Sequence, residues 1–238
     1  MTTTMDDRTR RIARQHIETT RLLGVGFVPV RRDAAAPSAA PAPASPSPEA
    51  GTKAERLAAL QSRYQTEAPL PKQMPGWTKI VFADGDPDAR LMFVGEAPGA
   101  DEDQRGLPFV GRAGQKLNEM IDAMGLSRAS VYIANILKVR PPNNRTPSIE
   151  EAEMDGPYLL EQIRIVEPEV IVTLGRPASQ FLLQSSESMG AMRGSWREFD
   201  GIPLMPTYHP AYLLRAYTPE NRKKVWSDLQ MVMQRLGL

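Results

Sequence analysis

With 238 residues, 41% of them apolar, the chain has room for one ordinary α/β domain with a sizeable core plus extra segments. Its 29 lysines and arginines against 28 acids exclude bulk charge as a source of attraction to nucleic acid, so any such surface must come from local patches. The lack of cysteine excludes disulfides, thiolate nucleophiles and cysteine-ligated zinc or iron–sulfur sites. No run reaches the ~18 to 20 apolar residues of a membrane span, and the opening MTTTMDDRTRR lacks the apolar core of a secretory signal. A soluble, cytoplasmic protein with no membrane partner is therefore expected.

Residues 6–23 suggest a short helix in which Ile12, Ile17, Leu22 and Leu23 form a loose apolar stripe among arginines, followed by GVGFVPVRR, which reads as a docking peptide. A disordered tail is the equal alternative. Residues 34–48 contain only alanine, proline and serine, the composition of a linker. The expected organisation is a tail over 1–33, a linker over 34–53 and a globular domain over 54–238. Helical periodicity covers 54–64, and the proline-broken stretch within 65–80 reads as loop. Strands are predicted at 90–94, 131–134, 169–174 and 202–206. Leu117, Met120, Ile121 and Met124 give one buried helix face between the first two. Ser148 and Glu151 form a capping box opening a helix to about Val166, and further helices are expected at about 177–184 and at 219–236. Such alternation predicts an α/β fold with a mostly parallel sheet covered on both faces, binding ligands at the strands' carboxyl ends.

Several candidate residues fall at those ends. Gly95-Glu96-Ala97-Pro98-Gly99 follows the first strand, so Glu96 projects from the sheet edge while the glycines admit close backbone approach; the plain alternative is a surface turn. The segment lacks the Gly-Lys-Ser/Thr ending of a phosphate loop. Glu102 and Asp103 fit a solvated loop or helix start better than a metal site. Phe109, in a loop set by glycines and a proline, can offer a flat platform or pack at the core's edge. Asn135 follows the second strand, and its amide both donates and accepts, matching a base edge with a carbonyl beside an imide N–H; otherwise it is a turn former. His209 precedes Pro210 after the fourth strand, whereas His16 lies in the tail. Residues 211–215 offer Leu213, Leu214 and Arg215 for a wedge and a phosphate grip, or simply begin a helix; Arg140, Arg145 and Arg193 are further cationic candidates or solvated surface.

The segments GEAPGADED, RGLPFVGRAG, NILKVRPPNNR, VTLGRPAS, MRGSW and HPAYLLR, in this order from about Asp86 to the C-terminus, resemble family-four uracil-DNA glycosylases, a branch that typically carries an iron–sulfur cluster. The resemblance implies a three-layer αβα sandwich with a central four-stranded, mostly parallel sheet. It also implies a monofunctional enzyme that hydrolyses the N-glycosidic bond of deoxyuridine in single- or double-stranded DNA and leaves an abasic site. On this resemblance Glu96 would position water or stabilise the cationic sugar, Phe109 would stack on uracil, Asn135 would read its polar edge, and His209 would hydrogen-bond O2 of the leaving base. Gly95 and Ala97 would complete the uracil pocket, Glu102 would crowd the C5 position of thymine, and Leu213 or Leu214 would fill the gap left by the flipped base. Arg215, Arg140 and Arg193 would contact DNA.

One departure stands out. Family members place cysteines where this chain has Val139 and Asp155, and a further pair before the first strand is also missing. The cluster is expected to be absent, with no metal or other cofactor, and apolar packing or the loop 65–80 is expected to replace it. A monomer is expected, with a repair or replication protein as the partner for residues 6–32. Two alternatives remain: a non-catalytic uracil- or DNA-binding relative, and a glycosylase with altered base preference. Covalent trapping in a related branch uses a histidine in a basic loop, and residues 138–145 here contain none.

Overall fold

The computed structural model describes residues 51–238; the expected tail and nearly all of the expected linker lie outside the described residues. In chain order the elements are α1 (Lys53–Glu67), α2 (Pro69–Gln73), β1 (Asp84–Gly85), β2 (Leu91–Gly95), α3 (Ala100–Arg105), α4 (Arg112–Ala123), β3 (Tyr132–Asn135), α5 (Ile149–Val166), β4 (Val170–Leu174), α6 (Arg176–Leu183), α7 (Met189–Met192), β5 (Arg197–Phe199), β6 (Ile202–Thr207), α8 (Pro210–Arg215) and α9 (Pro219–Leu236). The sheet order is β1-β3-β2-β4-β6-β5. The four inner strands are parallel, with Val94 opposite both Ala134 and Thr173 and Leu174 opposite Thr207. The two outer strands pair antiparallel.

The expected four parallel strands are present, but the sheet has six. The edge strands β1 and β5 are two and three residues long, too short to show alternation in a sequence. The inner strands are mostly apolar, with Asn135, Thr173 and Thr207 at or near their carboxyl ends, and divide between the faces with period two. Met92, Val94, Tyr132, Ala134, Ile171 and Leu204 pack with Leu57, Leu60 and Tyr64 of α1 and Leu159 and Ile163 of α5. Leu91, Phe93, Ile133, Val172 and Met205 pack on the other side with Leu117 and Ile121 of α4 and Leu229 and Val232 of α9. These two cores make the three layers.

The capping boxes at Thr52 and Ser148 open α1 and α5, each satisfying orphan amides of the first turn. The segment expected as loop over 65–80 contains the end of α1 and all of α2, with Leu70 and Met74 buried. Asp103, expected in a solvated turn or helix start, lies within α3 but is buried, because its carboxylate accepts the Thr78 and Lys79 amides and ties that segment down. No helix among the described residues is long and apolar enough to cross a membrane.

Candidate active site

The loops leaving β2, β3 and β6 converge at the carboxyl edge of the sheet on one cavity of about 410 Å³, a size usual for small-molecule sites. Glu96, Ala97, Glu102, Phe109, Asn135 and His209 all line it, and Arg112, Arg145 and Arg215 lie at its margin. Gly95 sits where no side chain fits: a Cβ there would come within 2.3 Å of Asn135 Oδ1 and 2.6 Å of the Phe109 ring.

Phe109 is held in an unusual backbone state, with φ of 51°. An aromatic residue in the left-handed region persists only when its surroundings over-determine it. Three groups do so. Arg128, ion-paired to Asp84 at 2.6 Å, donates to the Phe109 carbonyl at 3.0 Å and to that of Pro108. Gly114 of α4 passes so close that a Cβ there would lie 1.9 Å from the Phe109 carbonyl oxygen. The Glu102 carboxylate accepts the Val110 and Gly111 amides, each at 2.9 Å. Glu102 thus braces the loop carrying the ring as well as lining the cavity.

Asn135 is the last residue of β3 and is buried, yet its Oδ1 has no hydrogen-bond partner. Buried polar atoms are rarely left unpaired, and one that lines a cavity marks where a ligand donor belongs. His209 caps α8: its Nδ1 accepts the Ala211 amide at 3.0 Å. That bond leaves the proton of the neutral ring on Nε2, making it a donor. Burial, aided by the Arg215 charge, pushes the imidazole pKa down to about 4, so the ring is neutral at physiological pH. Its centroid lies 5.6 Å from that of Phe109. Burial lifts the Glu96 carboxyl above its ordinary 4.5, opposed by a hydrogen bond from Thr146 and by the Arg176 charge.

Other expected site residues are placed differently. Leu213 is only 3% exposed and packs into the core beneath α8, because the helix turns it inward; the neighbouring Leu214 is half-buried. Arg193 is not a free surface cation, since its guanidinium grips the buried Asp228 at 2.5 and 3.1 Å and the Lys224 carbonyl at 2.7 Å. Arg140 bonds Asn144 at 2.6 Å and does not line the cavity, whereas Arg215 is exposed at its edge. Arg128, Arg112 and Arg176 escaped the sequence reading, as nothing in their neighbours distinguishes them. Lys138 carried a visible signal, a lone cation inside the apolar run YIANILKV.

Val139 and Asp155 do not fit an iron–sulfur cluster. Val139 is fully buried in the apolar core, and the Asp155 carboxylate accepts the Tyr64 hydroxyl at 2.9 Å and the Lys138 amide at 2.7 Å. The chain has no thiolate to offer, and no three His, Asp or Glu side chains group as a metal site among the described residues.

The model of the uracil DNA glycosylase superfamily matches residues 82–230, which span all six strands and every cavity residue named above. The chain is 45% identical over 155 residues to the type-4 uracil-DNA glycosylase of Thermotoga maritima, covering 64% of this chain and 81% of that one. It is 42% identical over 168 residues to the type-4 enzyme of Archaeoglobus fulgidus, covering 67% and 83%. Identity to the type-5 uracil-DNA glycosylase of Pyrobaculum aerophilum is 30% over 171 residues, covering 63% and 71%. With that span of match and a type-4 likeness well above the type-5 one, the chain belongs to the uracil DNA glycosylase superfamily, in its type-4 branch.

Proposed function

We propose that the chain is a uracil-DNA glycosylase that hydrolyses the N-glycosidic bond of deoxyuridine in DNA, releasing uracil and leaving an abasic site for base excision repair. The observation that carries this reading is the unpartnered, buried Oδ1 of Asn135 beside the Phe109 ring. Uracil supplies what that oxygen lacks: its N3–H donates to Oδ1, while the amide NH₂ of the same residue donates to O4. Cytosine, with an acceptor at N3 and a donor at N4, would oppose both groups.

Scission of the bond makes the sugar oxocarbenium-like and the base anionic, so two separated charges need separate stabilisers. A flipped uracil stacks on Phe109. His209, neutral and with its proton on Nε2, donates to O2 as negative charge collects there. A neutral donor suits a leaving group that departs as an anion, because no proton has to be transferred. Glu96 holds the attacking water and faces the positive sugar. Glu102 braces the platform loop and closes the pocket beside it, and Arg215 grips a flanking phosphate, whereas Arg145 is paired to Glu151; Leu214 rather than Leu213 is the side chain free to enter the vacated stack. Both charges are met by side chains of this chain, so the reading calls for no cofactor.

The test is release of uracil from a single-uracil oligonucleotide beside a thymine control, with abasic sites cleaved by alkali. Glu96→Ala and Asn135→Ala are expected to lower the rate by about 10²-fold or more, the scale of losing one aligned polar group. Binding to uracil-containing DNA without cleavage would refute the reading in favour of a non-catalytic relative.

A further inference from the structure

Beneath the site lies a buried polar network that the proposed reaction does not use. Lys138 is fully buried among apolar neighbours, including Ile136, Leu137 and Val139. Its Nζ donates to the backbone carbonyl of Asn135 at 2.6 Å and to Gln162 Oε1 at 2.5 Å. Gln162 in turn donates to the Phe82 carbonyl and the Tyr132 hydroxyl, each at 3.2 Å. The backbone amide of Lys138 donates to Asp155, which also accepts from Tyr64. Hydrogen bonds therefore run without a break from α1 through α5 to the end of β3. Burying an amine is costly unless it is bonded, and an apolar side chain would fill the same space at less cost. What an apolar replacement could not do is hold the Asn135 peptide plane, which sets the direction of that residue's Cα–Cβ bond.

We propose that Lys138 is a positioning residue for base recognition: seated on Gln162 and on an Asp155 tethered to Tyr64, it fixes the Asn135 peptide and hence the amide that reads uracil. This polar strut takes the structural place of the iron–sulfur cluster, since Asp155, which accepts the Lys138 amide, and Val139, the next residue along the chain, stand at two of the positions where the family resemblance implies cysteine ligands. The inference rests on the reading of Asn135 as the uracil-recognising residue.

The experiment is a double-mutant cycle on the full chain, measuring kcat and KM on the uracil oligonucleotide and the melting temperature of each variant. Lys138→Met keeps the stem's bulk and removes the donors. It is expected to lower kcat about tenfold to a hundredfold, the effect of misplacing a recognition group by a fraction of an ångström to an ångström, with KM for DNA unchanged. In an Asn135→Ala background the same substitution is expected to add no further loss. Losses that multiply would show a structural role independent of Asn135 and overturn the proposal, as would wild-type kcat in Lys138→Met. If Asn135→Ala alone retains full uracil release, the reading beneath the proposal fails, and the proposal with it, by a distinguishable route. Should Lys138→Met not fold, Tyr64→Phe, which removes a single bond to Asp155, carries the same cycle. A loss absorbed by Asn135→Ala then supports the strut, and none, or one that multiplies, overturns it.

Discussion

Substituting Gly95 by alanine tests the site's geometry with a single methyl group. The added carbon would lie 2.3 Å from Asn135 Oδ1 and 2.6 and 2.7 Å from Phe109 Cζ and Cε2, about 1 Å inside the 3.4 Å at which ordinary contact begins. The backbone cannot retreat, because β2 is flanked by β3 and β4, and the Gly95 carbonyl accepts the Ile136 amide at 3.0 Å. The amide and the ring must therefore give. Overpacking of this kind costs about 1 to 3 kcal/mol of stability. A displacement of about 1 Å in a recognition group costs on the order of 10²-fold in rate. Single-turnover release of uracil with enzyme in excess, paired with a thermal melt, separates the two effects. The expected result is a folded protein, somewhat destabilised, that has lost about two orders of magnitude in rate. Wild-type turnover by Gly95→Ala would show that neither Asn135 nor Phe109 has to occupy its observed position, and the assignment of the base pocket would fall.

Three further outcomes follow from the same geometry. Because the imidazole pKa lies at about 4, His209 is expected to show no NMR titration between roughly pH 5.5 and 8; a midpoint near its ordinary 6.5 would overturn the neutral-donor role. As pH falls, kcat/KM is expected to drop when Glu96 gains its proton, with a midpoint above 4.5 because burial disfavours the carboxylate; an acid limb that Glu96→Gln leaves in place would reassign it. Arg215→Ala is expected to weaken DNA binding and lower the salt slope by about one, whereas Arg193→Ala is expected to leave the slope intact and destabilise the fold by about 3 to 5 kcal/mol, by leaving buried Asp228 with the Thr207 hydroxyl but without its counter-charge. A changed salt slope in Arg193→Ala would return that residue to the DNA surface.

What could be read from the sequence was whatever local order determines. The Ser148 capping box and the apolar stripe of α4 are contained within a few consecutive residues, and the predicted 219–236 helix matches α9 at both ends. Gly95, Glu96, Asn135 and His209 were legible for a related reason: each closes or follows an inner strand, and parallel sheets bring those ends together. What stayed hidden depends on partners far along the chain. Arg193 looked like a surface cation until its carboxylate, 35 residues away, was in view. Leu213 and Leu214 are adjacent in one apolar motif, and only the docking of α8 decides that the first faces inward. The short edge strands gave no pattern, since two or three residues cannot display a period.

Positions 139 and 155, where the family resemblance implies cysteines, unite these observations. With no thiolate in the chain to tie α1, α5 and the end of β3 together, the residues at 139 and 155 are not equivalent in what they supply. Valine at 139 extends the apolar core, which adds cohesion without direction, because apolar contact is roughly proportional to area and indifferent to angle. Aspartate at 155 contributes direction: one carboxylate oxygen takes both the Tyr64 hydroxyl and the Lys138 amide, which fixes α1 and the β3 exit relative to α5. Its other oxygen is buried without a partner, so the arrangement is not the most stable one available to these positions. Replacing Asp155, Lys138 and Tyr64 together by Leu, Met and Phe removes that oxygen but also takes the acceptor from the residue-138 amide and the Lys138 donor from the Asn135 carbonyl. The triple variant is therefore expected to melt lower than the parent and to release uracil more slowly. A triple variant that melts no lower and turns over at the parental rate would show that the network sets neither stability nor the aim of Asn135.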